Sequence, residues 1–391
     1  MVGLLLALIY LSFVSLGLPD AVLGSAWPLV SKEFNVPISN MGIVTIIISA
    51  GTVISSLNST KLINKIGVHK VTAFSVLLTA VSLFGFSSSP SFLVLCLWAI
   101  PYGLGAGSID TALNNYVSVN LESKYMSWLH CMWGVGATLG PYIMGMALTG
   151  GHSFRLGYII LFSIQAIICI IIFISSPIWK MKKDNPLELE NNNNTLSLKE
   201  LFKTKGVKQI AIAFFCFCAV EHTTGLWASS YLVFNRGIEP EIAAGFSGLF
   251  YLGITIGRGI CGFIAMKYND KQMIRAGTLL MGVGVGVLFV PFGEYTVFIG
   301  LTLIGLGSSP VFPCIIHSTP YNFGVANSQA ITGIEMASAY TGTLIMPGLF
   351  GVLGREISFS LYPIFIGIIL ITMFLMHESM LRKVEGTTNK N

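Results

Sequence analysis

The sequence contains few charged residues. Asp, Glu, Lys and Arg make up 10% of its 391 residues, whereas 53% are hydrophobic, and the mean hydropathy is +0.77. Soluble globular domains usually carry about 25% charged residues. The scarcity of charge therefore excludes a soluble enzyme or binding domain and predicts an integral membrane protein embedded in a lipid bilayer.

Cysteine pairs and catalytic motifs are also lacking. The seven cysteines lie mostly in apolar segments, and their spacing fits neither a metal site nor a disulfide framework. The sequence has no evident nucleophile–base constellation, pair of metal ligands on one helix or phosphate-binding loop. We therefore predict no metal site, no cofactor and no enzymatic activity.

Long apolar runs fill most of the chain. Twelve of them have roughly the 20-residue length that a helix needs to cross a bilayer. The first is longer than the core of a signal peptide and lacks a clear cleavage site, so we interpret it as a retained span. The predicted spans are 3–30, 40–63, 71–88, 91–116, 126–149, 156–178, 207–234, 241–265, 275–292, 296–317, 328–352 and 357–378.

One long polar break divides these spans six and six. The prediction is an all-α membrane protein with an N-terminal half over 1–178, a linker over 179–206, a C-terminal half over 207–378 and a tail over 379–391. With the N-terminus inside, seventeen Lys and Arg residues flank the inner side and four flank the outer side. Cytoplasmic flanks carry the excess of Lys and Arg, so we predict a cell-membrane protein with both termini and the linker in the cytoplasm. The net charge of +5 then reflects topology, and no nucleic-acid partner is expected.

The two predicted halves repeat each other weakly. A basic loop follows span two at 64–70, and a related one follows span eight at 262–271. The glycine-rich segment 102–107 of span four matches 304–309 of span ten. Such repeats are typical of alternating-access transporters, whose site lies between repeats.

On these loops the chain resembles the major facilitator superfamily, and within it the fucose–proton symporter branch. The motifs that carry the resemblance are Gly-Leu-Pro-Asp at 17–20, the segment 107–115 around Asp110, Cys-Ala-Val-Glu at 218–221 and Ser-Pro-Val-Phe-Pro at 309–313. The resemblance implies a twelve-helix fold and acids that couple protons and contact sugar. The chain departs from it in carrying Asp110 in place of a glutamate, and in Glu335, which has no evident counterpart.

Four acidic residues lie inside the apolar runs. A carboxylate within a membrane costs several kcal/mol, so such residues usually face the interior of a helix bundle and serve an ion or substrate pathway. We predict that Asp20 and Asp110 are ion-coupling acids. We assign Glu221 and Glu335, from the other half, to the substrate site.

Amides and rings supply the other candidate site residues. Asp110 and Asn114 are four residues apart and share a helix face, and amides can both donate and accept hydrogen bonds to hydroxyl groups. Aromatic rings can stack on a sugar, although ordinary packing is as good an interpretation for Trp133 and Trp227. The further predicted substrate-binding residues are Asn114, Asn115, His130, Trp133, His222, Trp227 and Gln329. Arg258, the one strong cation away from the ends of a predicted span, is assigned to gating, with anion recognition as the alternative.

Three functions compete at this point. The first is symport of a sugar or polyol coupled to a proton or to sodium. The second is proton-driven export of amphipathic compounds, because Gly140-Pro141 in span five resembles a motif of proton antiporters. The third, a membrane-embedded enzyme, lacks any supporting motif. We expect a small-molecule substrate, a coupling ion and a monomer.

Overall fold

The computed structural model describes all residues except 1, 21, 38–39, 150–152, 181–196, 239, 291–292 and 389–391. Most of the predicted linker therefore lies outside the described residues. In the described part every regular element is a helix. The first eight helices are α1 (Val2–Gly17), α2 (Val22–Glu33), α3 (Met41–Ile66), α4 (Val68–Ser88), α5 (Phe92–Asn120), α6 (Ser123–Thr149), α7 (Phe154–Ile174) and α8 (Ser176–Lys180).

The remaining elements begin with a short helix in the predicted linker, which Ser197 caps at its start. They are α9 (Leu198–Leu201), α10 (Val207–Arg236), α11 (Pro240–Ile264), α12 (Asp270–Leu288), α13 (Gly293–Ser308), α14 (Val311–Phe323), α15 (Val325–Glu356), the 3₁₀ turn Phe359–Leu361 and α16 (Tyr362–Thr388).

Each predicted span overlaps helix in the described residues. Among the described residues, ten helical segments are long and apolar enough to cross a membrane. The other two predicted spans correspond to the 25-residue α11 and to the 19-residue α12. Helix α12 begins with Asp270, Lys271 and Arg275, and this charged start lowers its mean hydropathy.

Two predicted spans are interrupted helices. Span one consists of α1 and α2, which end and begin on either side of Pro19. Span ten consists of α13 and α14, separated at Ser309 and Pro310. Proline lacks the N–H that continues a helix. Interrupted membrane helices free backbone groups and are frequent at the binding sites of transporters.

The chain forms two compact units. The first comprises Met1–Tyr116 and Leu129–Thr195, and the second comprises Val117–Trp128 and Leu196–Asn391. The end of α5, the start of α6 and the residues between them therefore belong with the second unit. There the Ser123 hydroxyl donates to Asp270 at 2.5 Å, and His317 contacts Asp270 at 2.6 Å.

Glycines give the sequence repeat its physical basis. A Cβ at Gly103 of α5 would overlap the backbone carbonyl of Ile48 on α3. In the second unit, a Cβ at Gly305 of α13 would overlap the carbonyl of Phe250 on α11 in the same way. Small residues let membrane helices approach closely. The matched segments thus make equivalent backbone-to-backbone contacts inside each unit.

Candidate functional site

Asp20 lies in the break of the first span, between the end of α1 at Gly17 and the start of α2 at Val22. Trp133 on α6 donates its indole N–H to Asp20 Oδ2 at 2.8 Å. The Tyr102 hydroxyl on α5 donates to Oδ1 at 3.4 Å. A carboxylate offers about four acceptor positions, and Asp20 is exposed, so it can accept further hydrogen bonds from a ligand.

Close packing of α6 on the first span places Trp133 beside Asp20. A Cβ at Gly136 would overlap the Val14 carbonyl, and one at Gly140 would overlap the Leu18 carbonyl. The glycines therefore allow the two backbones to touch, and Trp133, one turn before Gly136, reaches the acid. The indole ring is half-buried, so part of its surface is accessible.

A cavity of about 110 Å³ opens beside Asp20 within the first unit. Its walls include the apolar side chains Leu83 and Phe86 and the phenols of Tyr102 and Tyr158. Tyr158 is 2% exposed, and its hydroxyl has no hydrogen-bond partner among the described residues. Because one water occupies about 30 Å³ and small-molecule pockets measure roughly 300–1,000 Å³, this cavity suits a few waters or one small substituent.

Asp110 begins a buried hydrogen-bond chain in the same unit. The Asn114 amide donates to Asp110 Oδ1 at 2.7 Å, and its carbonyl oxygen lies 3.0 Å from His130 Nε2. Because an amide oxygen only accepts, the imidazole donates in this contact. The three side chains are at most 7% exposed. Their burial favours a role for Asn114 and His130 in holding Asp110, and direct contact with substrate stays a prediction. Asn115, next along α5, is half-buried.

Glu221 and Arg258 form the corresponding polar feature of the second unit. Glu221 Oε1 on α10 lies 3.5 Å from Arg258 Nη2 on α11, with side-chain exposures of 13% and 4%. Glu221 Oε2 is buried and has no hydrogen-bond partner among the described residues. A buried guanidinium thus lies opposite one carboxylate oxygen of Glu221, and the other oxygen is enclosed without a hydrogen-bond partner among the described residues. A gating role for Arg258 stays a prediction.

His222 and Trp227 differ in their environments. His222, next to Glu221, is exposed. Trp227 donates its indole N–H to the Pro347 carbonyl at 2.8 Å and packs against Phe350 and Phe359. With its N–H occupied, Trp227 can offer a substrate only part of its ring.

Glu335 on α15 is completely buried, and Thr319 on α14 is its hydrogen-bond partner at 2.8 and 2.9 Å. Gln329 lies six residues earlier on α15 and is 8% exposed. Six residues place Gln329 roughly 9 Å along the helix axis from Glu335. The two predicted substrate residues are therefore at different depths of the same helix.

Sequence reasoning did not identify Tyr102, Tyr158 or Thr319. Each lies within an apolar span, where a hydroxyl needs a partner, and that is the signal the sequence offered. Aromatic and threonine side chains often only pack in membrane helices, so the signal is weak. In the part of the chain that the structure describes, no group of three or more His, Cys, Asp or Glu residues could hold a metal ion.

Comparison with known proteins extends over most of the chain. A family model described as Major Facilitator Superfamily matches residues 9–265 and 239–390. The chain is 22% identical to Bypass of stop codon protein 6 of Saccharomyces cerevisiae, covering 90% of this chain and 77% of that protein. It is 22% identical to the glucose/mannose transporter GlcP of Bacillus subtilis, covering 88% and 86% respectively. It is 24% identical to the quinolone resistance protein NorA of Staphylococcus aureus, covering 88% and 87%.

A solved structure supports the same relationship at the level of fold. The E. coli fucose:proton symporter FucP matches with a TM-score of 0.78 at 16% identity, over 96% of this chain and 98% of FucP. The predicted fold class, twelve transmembrane helices arranged as six and six, is confirmed.

Proposed function

The chain belongs to the Major Facilitator Superfamily and is a transporter rather than an enzyme, and from this premise we propose that it is a cation-coupled symporter of a sugar or related polyol. Transport proceeds by alternating access, and the proton is the first candidate for the coupling ion. Relatives named for glucose and mannose transport and for fucose:proton symport support the substrate class.

The observation that carries this proposal is the contact between Asp20 and Trp133. The indole N–H fixes the carboxylate at 2.8 Å, while the acid is exposed and the ring is half-buried. A carboxylate can accept hydrogen bonds from sugar hydroxyls, and an aromatic ring can cover the apolar face of a sugar. Asn115, Glu221 and His222 are proposed as further polar contacts, and Trp227, Gln329 and Glu335 stay predictions.

Coupling is assigned to Asp20 and Asp110. Asp20 can reach substrate and solvent directly, whereas Asp110 is buried and hydrogen-bonded to Asn114. A change of charge on Asp110 has to be accommodated by Asn114 and His130, so protonation there can alter the conformation of the surrounding helices. We place the protein in the cell membrane with both termini cytoplasmic, because Lys and Arg residues concentrate on that side.

Counterflow in proteoliposomes tests the proposal. Purified protein is reconstituted and offered a panel of radiolabelled hexoses, pentoses and polyols, with a pH gradient, a sodium gradient or neither. We expect counterflow of at least one sugar or polyol and uphill uptake with the pH gradient. Uptake driven only by the sodium gradient would show that sodium, and not the proton, is the coupling ion. Efflux of a NorA-type quinolone, without exchange of any sugar, would instead establish an exporter.

A further inference from the structure

Glu335 is held differently from the other acids on the membrane helices of the second unit. Glu221 pairs with Arg258, Asp270 with His317, and Glu378 with Arg275. Glu335 is 0% exposed and, among the described residues, has neither an ion-pair partner nor an N–H donor. A single hydroxyl, that of Thr319, meets both of its oxygens.

The hydrogens available at this contact can be counted. Thr319 Oγ1 lies 2.9 Å from Glu335 Oε1, 2.8 Å from Oε2 and 3.2 Å from the Ile315 carbonyl. The hydroxyl carries one hydrogen, so if Glu335 were ionised, three acceptors would compete for it. If Glu335 is neutral, its O–H donates to Thr319 Oγ1, and Thr319 donates to Ile315. Both hydrogens are then used, the bond between Glu335 and Thr319 at a length normal for O–H···O and the bond from Thr319 to Ile315 at a longer 3.2 Å.

The burial of Glu335 also favours the neutral acid. An unpaired carboxylate transferred out of water is penalised by several kcal/mol even after the protein relaxes. One neutral hydroxyl does not replace the ion pair that Glu221 has. The neutral acid therefore fits this environment, and the carboxylate does not.

We propose that Glu335 is a second proton-binding site, located in the C-terminal half, which holds a proton in this conformation and releases it to water when α14 and α15 separate. On release the proton passes from a Glu335 oxygen to water, and the remaining carboxylate accepts the hydrogen of Thr319. This assignment rests on the proposed function. It adds one proton per transport cycle to those carried by Asp20 and Asp110.

Helix α15 also indicates where the proton leaves. Thr332 lies three residues before Glu335, so the two share a helix face. Its side chain is completely buried, and its hydroxyl has no hydrogen-bond partner among the described residues. It is one turn closer to the start of α15 at Val325. In the topology proposed above, this end of α15 faces the cytoplasm. We assign release to that side.

No other titratable group among the described residues compensates Glu335. Helices α10, α14 and α16 and the 3₁₀ turn pack against α15. Among the described residues of all four elements and of α15 itself, no ionisable side chain forms an ion pair or hydrogen bond with Glu335. Those side chains are Lys208, Cys216, Cys218, Glu221, His222, Tyr231 and Arg236 on α10, Cys314, His317 and Tyr321 on α14, Tyr340, Arg355 and Glu356 on α15, and Tyr362, His377, Glu378, Arg382, Lys383 and Glu385 on α16.

Infrared spectroscopy of the full-length protein in lipid tests the site without substrate. The spectrum of Glu335→Gln is subtracted from that of the wild type at neutral pH. We expect the difference to contain the C=O stretch of a protonated carboxylic acid and no carboxylate band. Glu378→Gln, which removes an acid paired with Arg275, is the matched control and should lose carboxylate bands only. A carboxylate difference for Glu335→Gln would overturn the proposal.

Thr319→Val provides an independent variant if Glu335→Gln does not fold. It keeps the acid and removes its partner, so the carboxylic C=O band should persist and move to higher frequency. A carboxylic acid region identical to that of the wild type would contradict the assigned contact.

Transport stoichiometry then separates this site from the proposed function. Reversal-potential measurements should show one proton fewer per substrate in Glu335→Gln, and an unchanged ratio would refute release during transport. If the carboxylic band is present but no proton-coupled transport is found, the proposed function fails and the protonated site remains.

Discussion

The two units stabilise their membrane acids by different means. In the first unit, Asp20 and Asp110 receive N–H donors from Trp133 and Asn114, which suit an ionised carboxylate. In the second, Glu221 is matched by a buried guanidinium and Glu335 by a hydroxyl. N–H donors stabilise an ionised carboxylate without supplying a full counter-charge, whereas an ion pair supplies one. We therefore propose ion coupling for Asp20 and Asp110 in the first unit and a charge-fixing role for Arg258 in the second.

The largest expected effect comes from breaking the buried ion pair. Arg258→Met leaves the Glu221 charge buried without its partner, and we expect a loss of about 3–5 kcal/mol in unfolding free energy. Thermal or denaturant unfolding in detergent measures it, and the double variant with Glu221→Leu should recover most of the loss. Arg275→Met is the control, since Arg275 is 46% exposed and its pair with Glu378 should contribute about 1 kcal/mol or less. Equal losses for both arginines would contradict this contrast.

Removing the charge at Asp110 should uncouple transport. Asp110→Asn keeps a group that can bond to Asn114 but cannot exchange a proton, so we expect uphill accumulation to disappear while substrate exchange continues. Proteoliposome uptake with and without a pH gradient measures both activities. Glu33→Gln, an exposed acid of the same unit paired with Arg155, should retain accumulation. Undiminished uphill uptake by Asp110→Asn would refute its coupling role.

Trp133 and Trp227 are expected to differ in role, the first in substrate binding and the second in packing. Trp133→Phe removes the donor to Asp20 and should weaken substrate binding by about 1 kcal/mol, roughly a fivefold rise in Kd. Trp227→Phe removes the hydrogen bond to Pro347 and should lower stability by about 1 kcal/mol with little change in Kd. Direct binding and thermal unfolding of each variant separate the two effects. If Trp227→Phe weakens binding as strongly as Trp133→Phe, then Trp227 belongs to the substrate site.

The smallest expected effect concerns the cavity beside Asp20. Its phenol groups and its size favour bound water, which would bridge the Tyr158 hydroxyl. Tyr158→Phe should therefore lower the unfolding free energy by about 0.5–1 kcal/mol. Tyr142→Phe, at a site 72% exposed, should have no measurable effect. A gain of stability in Tyr158→Phe would indicate a dry cavity.

The sequence predicted helices better than contacts, for a physical reason. A span is recognised from its length and hydropathy, so the twelve spans were found. The interruptions beside Pro19 and Pro310 were not predicted, because a proline can also lie inside a continuous helix, as Pro101 and Pro141 do. The partner of a buried side chain depends on the rotation of each helix about its axis. In a membrane helix nearly all faces are apolar, and periodicity gives little information about that rotation. The contact of Asp110 with Asn114 follows from spacing on one helix, but those of Asp20 with Trp133 and Glu335 with Thr319 join different helices.

The glycine contacts at Gly103 and Gly305 also affect how each unit can deform. Where backbone meets backbone, no side-chain rotamers exist to rearrange, and sliding one helix past the other would immediately bring a larger residue against a carbonyl. Rotamer exchange occurs in picoseconds to nanoseconds, whereas helix displacements take microseconds or longer. The helix pairs α3–α5 and α11–α13 therefore cannot shift against each other by small side-chain rearrangements. We expect each pair to move as one rigid body.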